Sequence, residues 1–300
     1  MQYPTYRLAV ETSAALADVG IPPLDVEALV LRAVQEDVGD GLDVTTMATV
    51  PVDQRGRLEL TARAAGVIAG TIVAAAVFDV VCGEDRDIEI RVRDGEHVDL
   101  GSVVMVVSAA THNLLRAERP ALNLLGHLSG VATVTSIWAK ALTGTKARVR
   151  DTRKTTPGLR AVEKYAVRMG GGQNHRMNLS DAALVKDNHV LAAGGVGEAF
   201  ALVRGKYPDV PVEVEVDDLD QFDEALAAGA DLILLDNFDL DSMREAVRRS
   251  AGRVRLEASG GLTIERAAEV AATGVDYLAV GALTHSAPVL DIGADLVVPD

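Results

Sequence analysis

The sequence predicts an α/β fold, a small α+β domain followed by an α/β barrel, and three observations carry that reading. Strand-like apolar runs alternate with amphipathic helical runs through the second half of the 300-residue chain, the pattern of repeated β-α units over a parallel sheet. Polar residues suited to chemistry fall near the C-terminal ends of successive strands, the end at which an α/β barrel gathers its functional groups. A basic stretch from Arg148 to Arg176 also interrupts a chain that is otherwise acidic.

Taken in order, Pro23 to Val38 has helical apolar spacing, and the Gly and Asp residues of EDVGDGLDVTT, Glu36 to Thr46, predict a loop after it. Short strands follow at Arg57 to Ala62, Ile88 to Val92 and Val103 to Ser108, around an apolar helix from Thr71 to Val81. Asp94-Gly95 marks a turn. The charge-free run Ala64 to Phe78 is short and glycine-rich for a bilayer span, so it reads as a buried strand and helix. Residues 1–116 form the first domain on this reading and residues 117–286 the second. The second opens on a helical run, with Pro120 expected in a helix's first turn and Arg119 exposed beside that helix's N-terminus.

Six strands are expected after it: Ala147 to Arg150, Ala183 to Lys186, Val212 to Val216, Leu232 to Leu235, Val254 to Glu257 and Tyr277 to Val280. Helices are expected between them, including Gly197 to Lys206, Leu219 to Ala228, Leu240 to Ser250 and Thr263 to Thr273. Such units build either a closed barrel or an open doubly wound sheet. The barrel is favoured because Asp151 and Arg153, Lys186, Glu213 and Glu215, Asp236, Glu257 and Ser259, and Gly281 follow one another at strand ends. An open sheet would scatter them.

Charge then limits the partners. The chain carries 29 Lys and Arg against 44 Asp and Glu, a formal net of −15. Arg116 to His189 holds 13 Lys and Arg against 5 Asp and Glu, a local +8, which leaves −23 elsewhere. A basic island in an acidic protein argues for a focused site for small anions, not for nucleic acid or an anionic membrane, which would need a basic outer face. A single cysteine, Cys82, excludes an internal disulfide and reads as a small core hydrophobe. The N-terminal residues show no basic segment leading into an apolar one, so a cytoplasmic location is expected.

Within the island, Arg153 and Lys154 lie on the loop Asp151 to Gly158, a helix from Leu159 to Met169 follows, and Gly170 to Gly172 end it before His175 and Arg176. Cationic groups on two loops flanking one helix suit a multiply charged anion. His175 is expected to orient that anion, although a plain hydrogen-bonded loop histidine fits as well. Ser259, Gly260 and Gly261, ahead of a helix near Thr263, and Gly281 in VGALTHS predict two contacts for a phosphate. Glu215 and Asp236 would repel that phosphate directly, so they are expected to hold Mg²⁺ or sugar hydroxyls, or else to pair with Lys186 and Arg153. A sugar phosphate or pyrophosphate is the substrate class these groups suit.

The motifs DTRKTTPGLRAVEKYAVRMGGGQNHRMNLSDAALVKDNH, VEVEVDD, LILLDNF, LEASGG and VGALTHSAPVLD resemble the quinolinate phosphoribosyltransferases, also called nicotinate-nucleotide pyrophosphorylases (carboxylating). EDVGDGLDVTT and ERPALNLLGHLSGVAT are similar to that family's N-terminal segments. The resemblance implies an incomplete, open barrel beside the first domain, which residues 287–300 rejoin. It implies a Mg²⁺-dependent transfer of phosphoribose from 5-phosphoribosyl 1-pyrophosphate to quinolinate, releasing pyrophosphate and CO2 and leaving nicotinate mononucleotide for NAD biosynthesis. By the same resemblance, Thr152, Arg153, His175 and Arg176 meet quinolinate, with Lys154 and Lys186 near the departing carboxylate and the pyrophosphate. Glu215 and Asp236 meet ribose hydroxyls and Mg²⁺, and Ser259, Gly260, Gly261 and Gly281 receive the 5-phosphate. A homodimer, with hexamers as a further assembly, would bring Arg119 into the neighbouring subunit's site. Two other functions share these residues: a divergent branch of molybdenum-transport operons, and a barrel that binds a sugar phosphate without group transfer.

Overall fold

The computed structural model describes residues 7–298 and divides the chain into two compact units. The first takes in the chain up to Val134, Thr156–Gly171 and everything from Ser286 on; the second comprises Thr135–Thr155 and Gly172–His285. The division therefore falls later than 116/117, and it places one helix, Arg160–Met169, with the first unit.

In the first unit an antiparallel sheet runs in the order Ile292–Val297, Arg55–Ala62, Val103–Ala110, Arg86–Ile90. Alternation places Leu58, Leu60 and Ala62 on the buried face. The charge-free segment becomes the short strand Gly66–Val67 and the helix Thr71–Cys82, in which every residue except Ile72 is buried. Its one charge, Asp79, accepts from Arg86 Nε at 2.7 Å and from the Ala9 amide at 2.9 Å. Burial pushes the Cys82 thiol up to about 12, so it packs as an inert hydrophobe. No helix among the described residues is long and apolar enough to cross a membrane.

Three local expectations need correcting. The loop after Val38 contains a helix, Val44–Thr49, because Asp43 accepts the Thr46 amide at 3.0 Å and caps it. Pro120 does not start a helix but lies inside a 31-residue one, Thr111–Ala141, and Arg119 lies inside it too. The buried positions Leu114, Ala117, Ala121, Leu125 and Leu128 fall at helical spacing on both sides of the proline. One continuous apolar stripe thus outweighs the single backbone hydrogen bond that proline removes. After the strand Arg255–Ser259, the helix expected from Thr263 is a 3₁₀ turn, Ile264–Arg266, followed by five residues of α-helix, Ala267–Ala271.

The long helix also carries two glycines whose missing side chains are occupied by backbone. A Cβ on Gly130 would lie 2.0 Å from the Pro288 carbonyl oxygen, and one on Gly126 would lie 2.9 Å from that of Leu290. The chain's return crosses the helix there, and the Leu290 amide donates to the Gly126 carbonyl at 3.0 Å. The same unit fixes Arg160–Met169 through consecutive side chains. Glu163 accepts from His127 Nε2 at 2.8 Å and from the Thr156 amide at 3.0 Å, and Tyr165 donates to Asp94 at 2.7 Å. Of the three glycines after this helix, Gly171 adopts the left-handed conformation, at φ 85°.

The second unit is a six-stranded, all-parallel sheet in the order Arg148–Arg150, Tyr277–Ala279, Arg255–Ser259, Leu232–Asp236, Val212–Val216, Ala183–Val185. We number these strands first to sixth along the sequence. Neighbours in the sheet are neighbours in sequence except that the first strand pairs with the sixth, which is the closure of a barrel. First and second strands do not pair, so the barrel is open between them. Gln173 partly fills the breach: its amide donates to Val149 and its carbonyl accepts from Asp151. Asp218 and Asp239 cap the helices Leu219–Ala228 and Leu240–Ser250 by accepting amide hydrogens of the first turn.

The crossing at Gly130 yields a stability prediction. Gly130→Ala should lower the unfolding free energy by about 3 kcal/mol in urea titration, because backbone cannot yield as a side chain does. An unchanged transition would show that the return does not depend on this contact.

Candidate active site

The barrel mouth is built from the residues that follow each strand. After the first, Asp151 is fully buried and turned inward, where its carboxylate accepts the Asn174 side-chain amide at 2.5 Å and the His175 backbone amide at 2.8 Å. Asp151 is thus an anchor for the 174–176 segment and not a mouth residue. Thr152 receives the Lys154 amide on its hydroxyl at 2.9 Å, and the Lys154 carbonyl accepts from Thr284 Oγ1 at 2.8 Å. Those two bonds shape the turn that presents Arg153 and Lys154. Gly281 leaves room for that turn, since a Cβ there would lie 3.0 Å from Lys154 Cδ.

Arg176 is partly buried, and its Nη1 donates to the Ala182 carbonyl at 2.8 Å. Burial first, and then the like charge of Arg153, holds its guanidinium below the ordinary value. A doubly charged anion bound near both guanidiniums would relieve that repulsion. Lys186, just beyond the second strand, is ion-paired with Glu215 of the third. The pairing reading of Glu215 is therefore the observed one.

Asp236 ends the fourth strand and accepts from Asn237 Nδ2 at 2.7 Å. Asn237 has a left-handed backbone, φ 55°, and its amide donates to the Ser259 carbonyl at 3.0 Å. Gly260 sits against it at φ 85°, where a Cβ would meet Asn237 Oδ1 at 2.2 Å and Asn237 N at 2.9 Å. Gly261 follows at φ 57° with open space beside it. The phosphate reading of Ser259, Gly260 and Gly261 thus loses the dipole of a full helix, and what is left is a glycine turn with exposed backbone amides. Asn237 was invisible to the motif reading. An Asn between a strand-ending Asp and an aromatic residue is the signal that marks such a left-handed position.

Glu213 and Glu257 lie deeper than strand ends. They are the second and third residues of their strands and are buried. Arg150 Nη1 donates to Glu257 Oε2 at 2.6 Å, and its guanidinium stacks 4.5 Å above the Tyr277 ring. His175 Nε2 is 2.7 Å from Glu213 Oε2 and 3.5 Å from Glu257 Oε1. The carboxylate oxygens Glu213 Oε1 and Glu257 Oε1 are buried without a donor. Burial pushes each carboxyl up to about 7, Arg150 opposes the shift in both, and the charge of Glu213 adds to it in Glu257.

The His175 ring has partners within the fold: Nδ1 accepts the Arg176 amide at 2.7 Å, and Nε2 lies 2.7 Å from Glu213 Oε2. His175, Glu213 and Glu257 place ligand atoms within 4.8 Å of one another, a donor set for a divalent ion. Arg150 on Glu257 opposes that use, since it already supplies the positive charge an ion would bring. Glu215 and Asp236 join no group of three ligating side chains among the described residues.

Comparisons with known proteins cover both units. Residues 43–129 match the quinolinate phosphoribosyl transferase N-terminal domain and residues 131–295 the C-terminal domain. The chain belongs to the quinolinate phosphoribosyltransferase family. It is 54% identical to the nicotinate-nucleotide pyrophosphorylase [carboxylating] of Mycobacterium leprae, over 88% of this chain and 95% of that one. A probable enzyme of the same name from Bacillus subtilis is 39% identical over 87% of this chain and 90% of its own length. Among solved structures, NadC from Streptococcus pyogenes superposes with a TM-score of 0.89 at 40% identity, covering 93% of this chain and 99% of that one.

Two predictions come from this geometry. Gly260→Ala is strained by both its φ and the Asn237 backbone, so it should destabilise the protein by about 1–3 kcal/mol and displace Asp236. A thermal midpoint and a crystal structure matching the parent would refute it. The second concerns pH. Glu213 and Glu257 bind a proton more tightly folded than unfolded, so their contribution is complete below pH 4.5 and is lost as pH rises towards about 7. Unfolding free energies measured across that window should therefore carry a downward contribution that Glu257→Gln reduces.

Proposed function

We propose that this chain joins quinolinate to the ribose of 5-phosphoribosyl 1-pyrophosphate, releasing pyrophosphate and CO2 and leaving nicotinate mononucleotide, in NAD biosynthesis. The observation that carries the reading is family membership across both units. Quinolinate presents two adjacent carboxylates on a planar ring, and two guanidinium forks match them.

In the proposed mechanism Arg153 and Arg176, with Thr152 in the same turn, hold the pyridine so that its nitrogen faces the anomeric carbon. Ser259, Gly260, Gly261 and Gly281 receive the 5-phosphate on backbone amides and a hydroxyl. Asp236, and Glu215 once Lys186 turns to substrate, accept from the ribose hydroxyls. The C–O bond to pyrophosphate breaks through an oxocarbenium-like state, and Lys154 and Lys186 stabilise the departing charge. The new pyridinium then withdraws electrons as the adjacent carboxylate leaves as CO2, and the ring carbon that keeps the bonding pair takes a proton from water. No covalent nucleophile is needed.

Glu215 and Asp236 are hard carboxylate donors near the ends of neighbouring strands and would hold Mg²⁺. When bound, Mg²⁺ supplies charge neutralisation on the pyrophosphate. Arg119 has an exposed side chain on the long helix, near Glu118, and its role is to reach the site of a second subunit in a homodimer, the unit from which a hexamer would assemble. The enzyme acts in the cytoplasm on small molecules, not on nucleic acid or membrane.

The test is pyrophosphate release from phosphoribosyl pyrophosphate with Mg²⁺, comparing quinolinate with nicotinate as acceptor. Activity with quinolinate and little with nicotinate is expected. Arg153→Ala should raise the quinolinate KM about 100-fold and leave the phosphoribosyl pyrophosphate KM nearly unchanged, because charge-assisted bidentate bonds contribute about 3 kcal/mol. Mixing inactive Arg119→Ala with inactive Lys186→Ala protein should restore activity through hybrid dimers. Binding of phosphoribosyl pyrophosphate without turnover of either acceptor would favour a divergent or non-catalytic barrel instead.

A further inference from the structure

We infer that Asn237 is a positioning residue for phosphoribosyl pyrophosphate: its side-chain amide ties the Asp236 carboxylate to the glycine turn at 259–261. On the proposed function Asp236 meets the ribose hydroxyls and the turn meets the 5-phosphate, and the inference rests on that reading.

The two groups start on neighbouring strands. Asp236 and Ser259 each end their strand, and the sheet pairs them in register. Past that pair one further bond holds the two chains, the Asn237 amide donating to the Ser259 carbonyl at 3.0 Å. Phe238, the next residue, is buried, so the backbone at 237 is held from both directions.

Between those holds the backbone turns left-handed, at φ 55°. Among the described residues Ala251 is the one other non-glycine with a positive φ, and it follows a helix end, where that conformation is common. At a strand end the same conformation needs another reason. Glycine would meet the backbone requirement at lower cost, so the reason lies in the side chain. Nδ2 donates to Asp236 Oδ2 at 2.7 Å, and Oδ1 fills the place that a Cβ on Gly260 would take. One planar amide thus lies against both strand ends. Asparagine tolerates the left-handed region and carries an N–H, whereas aspartate shares the tolerance but has no donor and would repel Asp236. The bond also divides the carboxylate. Oδ2 is engaged by Asn237, while Oδ1 has no hydrogen bond among the described residues and is left as an acceptor for a hydroxyl.

Asn237→Gly keeps the backbone and its amide and removes Nδ2. The phosphoribosyl pyrophosphate KM should rise about 10-fold, the effect of losing one hydrogen bond to a charged group, while the acceptor KM stays within about threefold. Asn237→Asp keeps the shape and the Oδ1 acceptor but not the N–H, so it should raise the same KM at least as far. A ligand contact made by Oδ1 itself would survive in that variant. In an Asp236→Asn background, Asn237→Gly should add less than about a twofold change, because its effect passes through that carboxylate. A crystal structure of Asn237→Gly should show the Asp236 carboxylate turned from its parent orientation, or split between two, with the strands in place.

Parent KM values in Asn237→Gly, equal rises in both KM values, an Asp variant that behaves as the parent, additive losses with Asp236→Asn, or an Asp236 carboxylate unmoved in the crystal would each overturn the inference. Glycine adopts this backbone without strain, and the Asp variant gives a second reading should the Gly variant fold poorly. Failure of the functional reading looks different. Asp236→Asn alone would then leave the phosphoribosyl pyrophosphate KM unchanged, and the role of Asn237 would fall with it. An inference that fails by itself leaves Asp236→Asn defective and Asn237→Gly normal.

Discussion

Charge placed inside a parallel barrel has to be neutralised where it stands, and that constraint organises the second unit. Barrel interiors are ordinarily layered with branched aliphatic side chains. Here Arg150, Glu213, Glu257 and His175 point inward from two strands, a third strand and the segment that crosses the breach. An unpaired charge at that depth would cost several kcal/mol, whereas the paired set costs far less. Because each member satisfies another, none can move alone, and the cluster sets the geometry of the strand ends above it.

The breach between first and second strands follows from the same requirement. A continuous strand at 172–175 would carry alternate side chains out of the barrel, but a single bridged residue, Gln173, permits His175 to turn in towards Glu213. Asp151 completes the join by accepting from both Asn174 and the His175 amide. The opening is thus the route by which a loop histidine becomes part of the interior. It also places Arg176, the next residue, at the boundary between buried cluster and solvent.

What was legible in the sequence was whatever repeats or has a local cause. The six barrel strands were readable because each combines an apolar run with a turn and a helix of familiar period. Helix Pro23–Val38 was readable to the residue. What was not legible depended on contacts distant in sequence. Pro120 looked like a helix start because its local rule is strong, and only the apolar stripe on both sides shows why that rule lost. Glu213 and Glu257 looked like mouth residues because a strand's sequence gives their face but not their depth. Asp151 looked like a mouth residue because a polar group beside a basic loop gives no sign of whether it turns inward to a protein partner.

The carboxylates in the barrel fall into two depths. Glu213 and Glu257 are buried and pushed up by desolvation, so at neutral pH they carry less than their formal charge and repel an incoming anion weakly. Glu215 and Asp236 are nearer the surface, and each is occupied by a neighbour, Lys186 in one case and Asn237 in the other. An anion approaching Lys186 would therefore compete with Glu215 for it, and the ion pair keeps both charges satisfied in the absence of such an anion.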